Sequence, residues 1–166
     1  MSFINTSYDT VINAFLLRIE KDREFFAYLN VGMSMSQEIA IERATTFMHE
    51  AAARIAIDGM PSVDFMAYDD ETEEFGFELT RKEVFLLASL MFESYLGRDI
   101  AKLKCLSVNY TPTDVRVFDP SNARKTFQTM YEFVCAQNIM LLDTYRNTDR
   151  LTGEYVGINY ASYDEE

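Results

Sequence analysis

Apolar positions recur at three- and four-residue steps along four stretches of the chain. From about Ser7 to Leu29 the repeating positions are Val11, Ile12, Phe15, Leu16, Ile19 and Phe26, the spacing that gathers side chains on one face of an α-helix. Gly32 breaks that run. A second stripe of Ile39, Ala40, Ala44, Phe47, Met48, Ala51 and Ile55 starts near Ser34 or Ser36, where Ser34 and Gln37 have capping-box spacing. It stops at Asp58-Gly59-Met60-Pro61, a glycine followed by a proline. The third helix opens at Thr80-Arg81-Lys82-Glu83, a capping box in which the Thr80 hydroxyl accepts from the Glu83 N–H and the Glu83 carboxylate reaches back. Val84, Leu87, Ala88, Met91 and Tyr95 share its face, Leu86 and Leu90 widen it, and the pattern runs past Gly97 towards Leu103. The fourth spans Pro120 to about Tyr145, with Asp119 as N-cap and Pro120 at the first helical position, where its missing N–H costs nothing. Its stripe is Phe127, Met130, Tyr131, Val134, Leu141, Leu142 and Tyr145.

Three segments lack this period. Ser62 to Glu78 carries Asp64, Asp69, Asp70, Glu71, Glu73, Glu74 and Glu78 without a basic residue, and reads as an acidic loop too polar to bury, with Phe65, Phe75 and Phe77 as anchors. Cys105 to Phe118 looks short and β-like, with Val108, Tyr110, Val115 and Val117, and is bent by Pro112. Residues 146–166 mix Tyr155, Tyr160 and Tyr163 with Gly153 and Gly157 and predict an extended or frayed tail. The expected architecture is all-α: a bundle of four principal helices over residues 1–145, an acidic loop, and an extended C-terminal tail. No internal repeat or low-complexity segment interrupts it.

At 166 residues the chain suits one ordinary domain. A hydrophobic content of 48% argues against disorder. The balance is acidic, 27 Asp+Glu against 15 Lys+Arg for a net charge of −12, which disfavours wrapping nucleic acid in the absence of a large basic patch. The longest basic runs are pairs, Arg81-Lys82 and Arg124-Lys125. Cys105 and Cys135 have no C-x-x-C spacing and lie in apolar surroundings, so they read as buried thiols rather than a disulfide. The start, "MSFINTSYDT", has no charged region followed by an apolar run, and no apolar stretch reaches the ~18 residues of a membrane span. A soluble protein of a reducing compartment is expected.

Candidate chemistry is sparse. His49 is the only histidine; Glu50 adjoins it, but no second ligand stands at a helical metal-site spacing. The acidic run from Asp69 fails as a calcium loop, because its sixth position is Glu74 where a glycine is needed and its twelfth is Thr80 where a glutamate is needed. No Gly-rich phosphate loop, nucleophile elbow or H-E-x-x-H motif occurs. Neither enzyme, cofactor nor metal site is predicted. The adjacent cations Arg124 and Lys125 sit in the first turns of the fourth helix, where free N–H groups attract anions. They also oppose the helix dipole, so pairing with carboxylates such as Glu132, or with those of a neighbouring subunit, is the expectation.

Two elements carry a family resemblance. The first runs from Phe75 and Leu79-Thr80 through "EVFLLASLMFESYLGRDI"; the second is "TDVRVFDPSNARKTFQTMYEFV". Together they resemble the head–tail connector (neck or adaptor) proteins of tailed bacteriophages, with Thr80, Glu83, Met91, Tyr95, Leu96 and Arg98 matching in the first element and Asp114, Phe118, Ser121 and Asn122 in the second. The likeness covers about Phe75 to Leu142; Pro120 and the tyrosine-bearing tail depart from it. It implies a non-enzymatic virion protein of the neck, assembled in the host cytoplasm into a homo-oligomeric, typically dodecameric ring through which DNA passes without specific binding. Its partners would be the portal protein and another neck or tail-terminator protein, with no membrane. Candidate interaction residues are Arg98, Arg116, Arg124, Lys125, Tyr155, Tyr160 and Tyr163. An alternative starts from the net charge and the Asp69–Glu74 cluster: a small acidic DNA mimic that inhibits a DNA-binding enzyme.

Overall fold

The computed structural model describes residues 5–20, 23–26, 31–108 and 120–156, with side chains for all of these except 23–24, 102–108 and 120–124. The elements are β1 (Thr6–Ser7), α1 (Tyr8–Leu16), α2 (Arg23–Phe26), α3 (Met33–Asp58), β2 (Tyr68–Asp69), β3 (Glu74–Phe75), α4 (Arg81–Val108) and α5 (Pro120–Arg146). The chain is predominantly helical, and α4 is the central element, packed against α1, α3 and α5. Small residues on the facing surfaces, Ala44, Ala51, Ala52 and Ala88, are all buried and let α3 approach α4. Around them Val11, Phe15, Phe47, Met48, Ile55, Leu87 and Met91 fill the core. Each such side chain contributes about 1.5–3 kcal/mol through removal from water.

The first helix is shorter than its periodicity predicts. Its end is marked by Leu17, and the Arg18 and Ile19 N–H groups bond to Phe15 and Leu16 carbonyls three residues back, at 2.9 and 3.1 Å. The run Glu20-Lys21-Asp22-Arg23-Glu24 gives a continuing helix no apolar face to bury. Breaking there lets Ile19 enter the core and lets Phe25 meet the rings of Phe15 and Tyr95. The predicted end near Leu29 lies outside the described residues.

The capping box expected at Ser34 does not form. Gly32 is the N-cap and makes no side-chain cap bond, the helix begins at Met33, and the Ser34 hydroxyl donates to Glu38 instead. The stop falls where expected, at Gly59. A Cβ there would come within 2.7 Å of the Ile55 carbonyl oxygen, and Met60 takes the left-handed conformation (φ 44°) that turns the chain out.

The acidic stretch 62–78 corrects the sequence reading most. Rather than an unpacked loop, it forms a β2–β3 hairpin, and β1 adds to its open edge in the order β1-β3-β2, all antiparallel. Thr6 and Tyr68 both pair with Phe75. The all-helical expectation therefore omits a small three-stranded sheet, which the aromatic anchors explain. Phe65 and Phe75 are completely buried, while Asp64 beside the first is exposed and Glu74 beside the second is half-buried on the other side of β3. A second correction concerns Cys105–Val108, which continue α4 instead of starting a strand. No Gly or Pro stands between Gly97 and Pro112 to stop that helix.

After α5 the chain turns back on itself. Asp149 Oδ1 accepts from the Leu151 and Thr152 N–H groups, at 2.9 and 2.7 Å, and a bridge joins Thr148 to Tyr155. Gly153 (φ 73°) supplies the left-handed position the turn needs. This described part of the tail is folded; residues 157–166 lie outside the description.

Candidate interaction surface

Three polar ties fix the helices and the hairpin relative to one another. The first is built on Glu83, whose side chain is fully buried. The capping box reads as expected from the sequence: the Thr80 N–H donates to Glu83 Oε2 at 2.7 Å, and the Glu83 N–H donates to Thr80 Oγ1 at 3.3 Å. The carboxylate also accepts from the Tyr145 hydroxyl at 2.8 Å and from both arms of Arg150, Nε at 2.7 Å and Nη2 at 3.0 Å. Arg150 Nη2 also donates to the Glu78 carbonyl, and the guanidinium lies 5.2 Å from the Phe77 ring centroid. Burial alone would raise the Glu83 carboxyl, but donation from Arg150, Thr80 and Tyr145 outweighs it and holds Glu83 below the usual carboxylate range.

The second tie joins α3, α4 and α5. Arg54 Nη1 donates to Glu93 Oε1 at 2.6 Å, and buried Asn138 donates to Glu93 Oε2 at 2.7 Å and to the Ser89 carbonyl at 3.1 Å. Burial pushes the Glu93 carboxyl up, and the Asn138 and Arg54 donors bring it down further than burial raises it. Half-buried Cys135 is a free thiol beside Tyr131 and Glu93. Burial raises its pKa, the opposite of what a reactive thiolate requires. The side chain of Cys105 lies outside the description.

The third tie holds the hairpin to α1 and α3. The Tyr8 hydroxyl donates to Asp70 Oδ1 at 2.9 Å, and His49 stacks on Tyr68 with ring centroids 4.5 Å apart. His49 Nε2 lies 3.1 Å from Asp70 Oδ1 and makes no hydrogen bond. Among the described residues, no group of three or more His, Cys, Asp or Glu gathers where a metal ion could bind, and no helix is long and apolar enough to cross a membrane.

Missing Tyr145, Arg150, Glu93 and Asn138 has an identifiable cause. Asn138 falls between Val134 and Leu142 on the apolar stripe of α5, and Glu93 falls between Leu90 and Leu96 on that of α4. A polar residue inside an apolar stripe signals a buried tie. Arg150 offers no such signal, because it lies in a segment without periodicity.

Among the described residues, α5 leaves several large apolar side chains exposed. α5 packs chiefly on α4; Phe133 and Met140, 61% and 69% exposed, share its far side, and Ile139, 54% exposed, lies about 120° round the helix from Phe133. Met130 stands at the rim of an open groove of about 410 Å³, whose lining includes Leu17, Phe92, Tyr95 and Phe127. Arg18 beside it covers the face of Phe85 at 4.7 Å. Phe133 and Met140 lie on the side of α5 opposite the one that carries Tyr131, Val134, Leu142 and Tyr145.

The predicted interaction residues are scattered. Arg98 is exposed, with its guanidinium 5.7 Å from the Phe47 ring centroid. Lys125 is exposed in the second turn of α5. The expected partner Glu132 accepts from Gln128 at 3.0 Å instead, because seven residues of helix put it about 10 Å along the axis from Lys125. Tyr155 is 77% exposed at the end of the C-terminal turn. The Arg124 side chain, Arg116, Tyr160 and Tyr163 lie outside the described residues. Arg98, Lys125 and Tyr155 belong to different elements, and no contact among them is seen. No protein family, curated protein or solved structure matches this chain.

Proposed function

We propose that the chain is a non-enzymatic assembly protein, and specifically a head–tail connector of a tailed bacteriophage. In this reading its four principal helices act as a bundle that packs beside copies of itself in a ring. The portal protein sits on one side and another neck or tail-terminator protein on the other. The protein assembles in the host cytoplasm and resides in the neck of the virion. DNA passes the lumen without specific contacts. The observation that carries the assembly role is the exposure of Phe133 and Met140, two large apolar side chains one above the other on the outer side of α5, since exposed apolar surface of this kind serves protein association. The connector assignment rests in addition on the two sequence elements from Phe75 to Leu142.

The phosphate-mimic alternative has weaker support. A mimic needs free, regularly spaced carboxylates, whereas many of these are engaged by the fold. Asp64, Asp69 and Asp149 accept from the backbone N–H groups of their own turns. Asp70 accepts from Tyr8, and Glu83 and Glu93 are buried on Arg150 and Arg54. The test is negative-stain imaging of the protein mixed with portal rings. Rings capped by added density are expected; absence of association across a range of salt concentrations sinks the connector reading.

A further inference from the structure

The outer ridge of α5 is exposed and uncharged. One line along the helix carries Thr129, Phe133, Ala136, Gln137, Met140 and Thr144, all of them exposed and none of them charged. We propose that this ridge is the interface of an antiparallel, two-fold dimer of the chain. Centred between Ala136 and Gln137, such a pair sets Phe133 of one copy against Met140 of the other, twice. That is a ring-to-thioether contact of a favourable kind. Thr129 then faces Thr144, and small Ala136 near the axis permits close helix approach.

Charge sets the direction, and the flank of the ridge that carries Lys125 also carries exposed Glu132, which this pairing places level with Leu141 of the other copy. The amino-terminal part of α5 presents exposed Lys125. Its carboxyl end runs into a turn that presents exposed Asp149 and Glu154, while Arg150 of that turn is held by Glu83 and Arg146 by Asp143. Antiparallel pairing brings Lys125 of each copy level with the acidic turn of the other and opposes the helix dipoles. Parallel pairing would bring Lys125 against Lys125. A two-fold interface also needs only one kind of surface, which is what the ridge provides. The patch is one helix wide, so it falls at the small end of specific interfaces and makes a weak, concentration-dependent dimer.

Sedimentation of the full chain over a concentration series tests this. A shift from monomer to dimer mass is expected, weakened by salt and abolished by Phe133→Glu with the circular dichroism melt unchanged. Cysteine placement then fixes the geometry. Ala136→Cys is expected to cross-link to itself, whereas Thr129→Cys does so only when combined with Thr144→Cys. A monomer at every concentration, a dimer indifferent to Phe133→Glu, or self-cross-linking of Thr129→Cys alone overturns the proposal. So does dimerisation that appears only when residues 157–166 are deleted, since the chain's own end would then be the occupant. The dimer does not depend on the connector reading: dimerisation without portal binding removes that reading and leaves this one standing.

Discussion

The hairpin at 62–78 and the turn at 147–156 are both polar, both lie outside the helices, and attach to the helical body by opposite means. The hairpin is held by aromatic side chains: Phe65 and Phe75 are buried, with Tyr8, Tyr68 and Phe77 edge-on around Phe75. The turn exposes its apolar residues, Leu151, Tyr155 and Val156, and is held through one cation, Arg150, on the buried Glu83 carboxylate, the Glu78 carbonyl and the face of Phe77. Burial of rings is non-directional and tolerates modest rearrangement. A bidentate pair requires its geometry and leaves an uncompensated charge when one half is lost. Similar composition thus conceals two different sensitivities.

The largest expected effect comes from removing the hairpin's anchor. Phe75→Ala should cost about 3–5 kcal/mol in denaturant unfolding; a loss under about 1 kcal/mol would show that the hairpin is not part of the core. Next is the turn's anchor. Arg150→Ala should cost about 2–3 kcal/mol, less than a fully sequestered pair because Thr80 and Tyr145 still donate to Glu83. Adding Glu83→Gln should restore part of that loss. Full additivity of the two substitutions would mean that the side chains do not interact.

Acid separates the two regions more finely. Glu83 and Glu93 are held below the usual carboxylate range, so the unfolded chain takes up their protons first as pH falls. Their contribution is complete above the ordinary carboxylate pKa and disappears as pH falls through the lower folded values. A urea midpoint measured against pH should decline in that acid window. Arg150→Ala should flatten the decline, and Phe75→Ala should leave its slope unchanged. The smallest effect is expected at the turn's backbone. Gly153→Ala should cost about 1 kcal/mol for the left-handed conformation, while the Lys82 end near the new Cβ can swing aside.

Local signals in the sequence were the legible ones. The helices α3, α4 and α5, the Gly59 stop and the Thr80–Glu83 box are all set within a few residues, and all are present, although Met130 of the expected α5 stripe is exposed. What the pattern concealed depends on distant partners. Alternation in the hairpin is masked by carboxylates on the exposed side, so burial of Phe65 and Phe75 looked like incidental anchoring. The pairing of β1 with β3 joins Thr6 to Phe75, which no local period can announce. The end of α1 is hidden in the sequence because Ile19 and Phe26 continue its spacing across a run of charge. For the surface, the sequence picked out Arg98, Lys125 and Tyr155 by residue type. The outer face of α5 was overlooked because Phe133 and Met140 lie off the stripe that marks the helix.

Glu83 also has a kinetic meaning. Its capping partner is three residues away, whereas Tyr145 and Arg150 are separated from it by 62 and 67 residues. The local half can form as soon as the first turn of α4 winds. The distant half must wait until a loop of 62 to 67 residues has closed and its entropy has been lost. Contacts made after the transition state act on the rate of unfolding rather than of folding. One carboxylate thus serves two clocks: its bonds to Thr80 help set how soon the helix appears, and its bonds to Arg150 set how long the finished protein lasts.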